Sequence, residues 1–230
     1  MSLFPAAILA GGLGTRLHPV TQKMPKALVE INGEPFIAHQ LRLLRSQNLT
    51  DIVICAGYLG EMIRDFVGSG DRFDLRVQYS FDGPALLGTA GALQKALPLL
   101  GENFFVLYGD SYLPCAYISV QEAFEDSGKP ALMTVYRNEG CWDTSNVEFL
   151  EGNILRYDKQ ARTSAMRHID YGLGVLSGQV FDTIVPPYDL AALYQELLRQ
   201  NKLAAFEISQ RFYEIGSFEG LAELAERLKK

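Results

Sequence analysis

Short apolar runs alternate with stretches of helical periodicity through the first half of the chain. Residues 5–10, PAAILA, form an apolar run that stops at Gly11-Gly12, the pattern of a strand buried on both faces. Asn32-Gly33 marks a turn, and Pro35 suits the first position of a helix through FIAHQLRLLRSQ, residues 36–47. DIVICAGYLG (51–60) reads as a strand leading into a helix, LRVQYS (75–80) as a strand and TAGALQKALPLL (89–100) as a helix. NFFVLYGD (103–110) is a strongly apolar strand that ends on Asp110. This alternation predicts a parallel-rich sheet covered by helices on both faces, so the first half is Rossmann-like.

The texture changes after ISVQEAFEDS, residues 118–127. ALMTVYR (131–137), NVEFLEGNILRYDK (146–159) and HIDYGLGVL (168–176) are strand-rich, with hairpin punctuation at Glu151-Gly152-Asn153. The end is helical, through DLAALYQELLRQ (189–200) and FEGLAELAERLKK (218–230), with FYEIG (212–216) between them as a strand. No linker, repeat or charge block divides the chain, so the second half is expected to extend the same sheet within one domain, residues 1–230. The expected fold class is α/β, a three-layer sandwich on a mostly parallel mixed sheet.

Composition narrows the function. With 230 residues, 48% of them hydrophobic, the chain can bury a substantial core. A net charge of −6 argues against a nucleic-acid surface or an anionic membrane surface as partner, so an anionic ligand must meet a local cluster of positive charge. Cys55, Cys115 and Cys141 are odd in number and widely spaced, which suggests neither a disulfide framework nor a zinc knuckle and fits a reducing cytoplasm. The apolar N-terminus lacks a basic leader, carries Pro5 and stops before it could span a bilayer, so it is read as a strand and not as a targeting segment.

In open α/β sheets ligands sit beyond the carboxyl ends of the strands. GGLGTR leaves the first strand there. Its glycines let backbone N–H groups approach a polyphosphate, and Arg16, Lys23 and Lys26 supply positive charge nearby. The spacing is not G-x-G-x-x-G, because Leu17 stands three positions after Gly14, and there is no Walker Gly-Lys-Ser/Thr. Two readings remain: a phosphate cradle, or a glycine-rich turn whose basic residues face solvent. Asp110 likewise reads either as a ligand for a divalent cation such as Mg²⁺ or as a cap for the turn that follows.

The stretch LAGGLGTRLHPVTQKMPKAL (9–28) resembles the signature of the sugar-1-phosphate nucleotidyltransferases, also called NDP-sugar pyrophosphorylases. LLGTAGAL (86–93), YGDSYL (108–113), YDK (157–159), DYGLGV (170–175) and FYEIGSFEGL (212–221) resemble further segments of that family, in the family's order along nearly the whole chain. The short GGLGTRL form and the chain length are similar to heptose-1-phosphate guanylyltransferases and muramate-1-phosphate uridylyltransferases, short stand-alone catalytic domains.

The resemblance implies the nucleotide-diphospho-sugar transferase fold, with a nucleotide-binding half over about 1–115 and a sugar-phosphate-binding half over about 116–230. It implies attack of a sugar 1-phosphate on the α-phosphorus of a nucleoside triphosphate, releasing pyrophosphate, with Mg²⁺ as cofactor. Gly11, Gly12 and Gly14, with Leu9, Ala10 and Thr15, would cradle the nucleotide. Arg16 would hold the leaving pyrophosphate and Lys26 would neutralise the α-phosphate. Gly88 and Thr89 would meet the base. Lys159 would anchor the sugar phosphate, with Gly172 packing against the sugar and Asp170 on its hydroxyls. Asp110 and Glu214 would hold the metal.

Two departures stand out. Glu214 replaces the family's usual aspartate, and FDGPALLGTAG is longer than the usual acidic-Pro-Leu-Gly-Thr pattern. Alternatives are a cytidylyltransferase-type enzyme acting on a non-sugar phosphate or phosphonate, and a non-catalytic nucleotide-sugar-binding paralogue. A glycosyltransferase is disfavoured because GDSY has tyrosine where a second aspartate of Asp-x-Asp would fall. Of the histidines, His18 and His39 lack metal-ligand spacing, whereas His168 is placed to approach the sugar site through Asp170. Trp142 is a candidate border of the sugar pocket, and Arg156 reads as either a solvated strand residue or a phosphate contact.

Overall fold

The chain is described from a computed structural model that covers residues 2–12, 14–17 and 19–229. The first apolar run forms β1 (Ala6–Leu9). Ala6 and Ile8 enter one core cluster and Ala7 the other, which is why the run is continuously apolar and not alternating. The Asn32-Gly33 turn joins β2 (Glu30–Ile31) to β3 (Glu34–Pro35), both turn residues taking positive φ, 51° and 85°. Pro35 lies one residue outside the helix that was expected to start on it: its ψ of 139° is extended, and α1 runs Phe36–Ser46.

The parallel half continues with β4 (Asp51–Ala56), α2 (Gly60–Val67), β5 (Arg76–Phe81), α3 (Thr89–Leu100) and β6 (Asn103–Tyr108). The short strand β7 (Ser111–Tyr112) and α4 (Tyr117–Ser127) follow. The second half supplies β8 (Ala131–Arg137), the hairpin β9 (Val147–Leu150) and β10 (Asn153–Tyr157), and β11 (His168–Ser177). It ends with α5 (Leu190–Arg199), β12 (Leu203–Ile208), β13 (Tyr213–Glu214) and α6 (Phe218–Arg227).

Nine strands among the described residues form one mixed sheet. β5, β4, β1 and β6 are neighbours in that order and all parallel. β11 lies antiparallel between β6 and β8, and β12 extends the sheet parallel to β8. The second half thus continues the sheet as expected. β12 was not anticipated, and FYEIG contributes only the two residues of β13, which pair with β7 and stay outside the main sheet.

Helices cover both faces. Ile37, Leu41, Ile63 and Val120 from α1, α2 and α4 pack on one side, and Leu93, Ala96, Leu193 and Leu197 from α3 and α5 on the other. A smaller cluster of Ile31, Phe36, Ile215 and Leu224 seats α6 against the β2–β3 turn. Among the described residues no helix is long and apolar enough to cross a membrane.

Candidate functional site

The parallel register aligns Leu9 with Cys55 on one side and Tyr108 on the other, so the segments leaving β1 and β6 emerge together. Between them opens a cleft of about 280 Å³, one wall of which is the chain from Leu9 to Gly12 with Gly14. Lys26 begins a short helical turn, Lys26–Leu28, and its ammonium lies 2.8 Å from Asp110 Oδ2. Thus the glycine loop, Lys26 and Asp110 share one cleft, as the sequence implied.

The turn that carries Asp110 is tied down from two directions. Gln40, buried on the inner face of α1, donates through Nε2 to the carbonyls of Tyr108 (3.0 Å) and Ser111 (2.8 Å). From the other side Ser111 pairs with Glu214 across the β7–β13 ribbon, and the Ile215 amide donates to the Asp110 carbonyl at 2.9 Å. This ribbon brings together two carboxylates a hundred residues apart in sequence. Burial, then the neighbouring charges of Asp110 and Asp143, push the Glu214 carboxyl up to about 7, with Arg16 pulling the other way. Among the described residues no group of three or more Asp, Glu, His and Cys side chains is arranged to hold a metal. A pair of carboxylates, with the remaining positions open to phosphate oxygens and water, is a donor set that suits Mg²⁺.

Arg16 departs from the expected picture of a single wall. It is exposed in the turn Thr15–Leu17, rests against Gly216 and lines a second cavity of about 290 Å³ together with Glu214, Trp142 and Arg211. It stands beside the second carboxylate while the glycine loop and Lys26 stand beside the first. Thr15 and Lys23 are exposed. Trp142 borders this second cavity, with the Arg211 guanidinium over its ring at 3.2 Å from the centroid.

Lys159, Asp170 and Gly172 come together at the start of β11. The pairing of β11 with β8 shifts register between Asp170 and Gly174, and Gly172 sits in this irregularity with φ +94°. A Cβ there would lie 3.5 Å from both Tyr108 and Ser111, so the position keeps β11 close to the end of β6. Lys159 Nζ is 3.4 Å from the Tyr108 hydroxyl and 3.6 Å from Asp170 Oδ2. Asp170 also accepts from the Tyr157 hydroxyl at 3.2 Å and the Gly172 amide at 3.0 Å, and only 5% of its side chain is exposed. Its oxygens are engaged by Lys159, Tyr157 and Gly172, so Asp170 stands as the counter-ion of Lys159.

On the opposite side Gly88 and Thr89 line the cleft at the start of α3. Gly88 has φ +74°, and a Cβ on it would lie 2.4 Å from the Tyr188 carbonyl oxygen, so no larger residue fits. The Thr89 hydroxyl donates to Asp189 Oδ1 at 3.0 Å and accepts from the Leu190 amide at 2.7 Å. It fastens α5 to α3.

The remaining candidates separate cleanly. His39 bonds the Ile31 carbonyl at 3.0 Å. His168 lies against Phe149 and bonds Glu207 at 3.1 Å, held by β12 and β9 and not directed at a sugar. Arg156 is exposed, and His18 lies outside the described residues. Sequence reasoning missed Gln40, Asp82, Tyr108 and Tyr157. For Gln40 a signal existed: it falls on the buried face of α1 among Phe36, Ile37, Leu41 and Leu44, where a polar side chain needs a bonding reason.

Known proteins resemble this chain in sequence and in fold. The family model described as nucleotidyl transferase matches residues 5–140. Mannose-1-phosphate guanyltransferase beta-A of Xenopus laevis is 28% identical over 219 residues, which cover 92% of this chain and 61% of that protein. The chain thus spans less than two thirds of that relative's length. N-acetylmuramate alpha-1-phosphate uridylyltransferase of Neisseria meningitidis serogroup B is 41% identical over 106 residues, 46% of each chain. Among solved structures, the inositol-1-phosphate CTP transferase from T. maritima superposes with a TM-score of 0.81 at 20% identity, covering 100% of this chain and 96% of that one. At that identity the likeness establishes a shared fold.

Proposed function

The chain belongs to the nucleotidyl transferase family, and on that premise we propose that it transfers the nucleoside monophosphate of a nucleoside triphosphate to a sugar 1-phosphate. A phosphate oxygen of the sugar 1-phosphate attacks the α-phosphorus, the bond from that phosphorus to the β-phosphate oxygen breaks, and NDP-sugar and pyrophosphate result. The observation that carries the reading is the pairing of Lys26 with Asp110 in the glycine-walled cleft, with Glu214 tied to the same turn across the β7–β13 ribbon and Lys159 3.4 Å from the Tyr108 hydroxyl. No protein nucleophile is needed; the problem is to hold two polyanions together, which is a matter of positioning and charge.

Asp110 and Glu214 would hold Mg²⁺, which when bound offsets the charge of the reacting phosphates. The backbone at Gly11, Gly12 and Gly14 approaches the triphosphate, and Gly88 gives the nucleoside room. Lys26 exchanges its bond to Asp110 for one to the α-phosphate. Lys159, steadied by Asp170, meets the incoming phosphate beside Gly172, and Arg16 draws off pyrophosphate on the side of the second cavity. The domain is read as one catalytic unit, and three cysteines without disulfides favour a cytoplasmic setting.

The test is pyrophosphate release. Protein with Mg²⁺, the common nucleoside triphosphates and a panel of sugar 1-phosphates is expected to release pyrophosphate for at least one pair. Silence across a broad panel, with nucleotide still bound, overturns the reading.

A further inference from the structure

Among the described residues that line the glycine-walled cleft, five have side chains able to form strong hydrogen bonds: Lys26, Asp82, Thr89, Tyr108 and Asp110. Four are already partnered. Lys26 and Asp110 bond each other, Thr89 is bound to Asp189 and Leu190, and the Tyr108 hydroxyl accepts from Lys159.

Asp82 differs. It follows the end of β5, is 9% exposed, and its Oδ2 receives one long contact of 3.5 Å from the Leu87 amide. The Lys95 ammonium beside it donates to the Asp82 main-chain carbonyl at 3.1 Å and not to the carboxylate. Burial lifts the carboxyl above the usual range, with Leu87 and Lys95 opposing. A buried carboxylate so poorly supplied with donors gains from any ligand that brings them. Gly11 and Gly57 flank it: a Cβ on either would stand 3.6 Å or 3.2 Å from Oδ2, so the two glycines leave the carboxylate uncrowded.

Its place in the sheet sets what it could reach. β5 is separated from β6 by β4 and β1, so the ends that carry Asp82 and Asp110 lie three strand spacings, about 14 Å, apart. That separation accommodates a nucleoside and its α-phosphate, with the phosphate at Lys26 and Asp110 and the base at Asp82. Resting on the nucleotidyl-transfer reading above, we infer that Asp82 is the residue that selects the base and that the base is guanine.

The argument is one of donors and acceptors. An ionised carboxylate only accepts, and its two oxygens suit two adjacent donors. The guanine edge carries such a pair, N1–H and the N2 amine. Uracil and thymine place a single N–H between two carbonyl oxygens that would face the carboxylate. Adenine and cytosine set an amine beside a ring-nitrogen lone pair. Guanine therefore forms two charge-assisted bonds where the other bases form at most one.

Equilibrium binding without an acceptor tests this independently of turnover. Calorimetry is expected to rank GTP at least tenfold tighter than ATP, CTP, UTP and dTTP, with ITP, which lacks the N2 amine, about tenfold weaker than GTP. Asp82→Asn is expected to lower GTP affinity by about 10–100-fold and to favour xanthosine triphosphate, whose C2 carbonyl accepts from the new amide. Its melting temperature and circular dichroism control for folding, and the GTP-to-ITP ratio of the unaltered protein needs no variant. A pyrimidine nucleotide that binds as tightly as GTP, or an Asp82→Asn protein with unchanged GTP affinity, overturns the assignment. Absence of pyrophosphate release with every acceptor would count against the transfer reaction and leave this ranking standing. Turnover with UTP in preference to GTP would do the reverse.

Discussion

Lys26 and Asp110 hold each other at 2.8 Å, joining the segment after β1 to the end of β6 at a place where 16% and 28% of their side chains remain exposed. Each occupies the bonding capacity the other would offer a ligand. An anion that draws Lys26 away frees an Asp110 oxygen for a cation, so phosphate and metal should favour each other's binding.

Lys26→Ala separates these roles. Turnover is expected to fall about 10²–10³-fold, the usual loss for one preorganised charge-stabilising group. Binding of Mg²⁺ in the absence of nucleotide is expected to strengthen, because Asp110 loses its competitor. Calorimetric titration with Mg²⁺ reads this directly, and weaker metal binding would show that Lys26 organises the carboxylates.

Glu214 makes the metal-free protein sensitive to pH. Its carboxyl is raised from 4.5 to about 7 by burial and by Asp110, so between these values the folded chain holds a proton that the unfolded chain has released. Its contribution to stability is present in full below about 4.5 and is lost as pH rises through about 7. Melting temperature measured without metal should carry this downward component, and Glu214→Gln should remove it. Stabilisation by Mg²⁺ should be larger at pH 8 than at pH 5.5.

Asp170→Asn keeps the shape but removes the charge facing Lys159. The expected result is a KM for the acceptor phosphate raised about tenfold, with a smaller change in kcat and none in nucleotide affinity. Asp170→Ala also strands the Tyr157 hydroxyl and the Gly172 amide and should cost about 1–3 kcal/mol of stability in denaturant titration. An effect of Asp170→Asn confined to the nucleotide would remove Lys159 from the acceptor side.

Gln40→Leu tests whether α1 positions the turn of Asp110. The substitution leaves the carbonyls of Tyr108 and Ser111 without their donor, and a loss of about 1–3 kcal/mol is expected. If the turn then relaxes, metal affinity falls with it; Gln40→Glu, unable to donate when ionised, should behave alike above neutral pH. Full metal affinity in both variants would confine Gln40 to a packing role.

The cleft beside β1 and β6 was legible in the sequence because its information is local. A buried run, a glycine loop and an aspartate closing an apolar strand each declare themselves within ten residues. Glu214 could be matched to a motif, but its meeting with Asp110 depends on a ribbon of two residues per strand, β7 with β13, that no periodicity announces. β12 escaped for a different reason. LAAFEI is rich in alanine and carries Glu207, and it is a strand because Leu203 and Ala204 bury beside β8, not from intrinsic preference. The occupied states of Thr89 and Asp170 were equally invisible, since their partners Asp189 and Tyr157 are set by tertiary packing.

β11 runs against the strands on either side of it. Its first residues, not its last, therefore lie at the edge where β1 and β6 finish, and two stretches of chain reach a common rim from opposite directions. Lengthening or remodelling the approach to β11, between Tyr157 and His168, would alter what is admitted on that side without disturbing the four parallel strands that frame the other. A fold wired in this way lets one side of the rim change over evolutionary time while the other is kept.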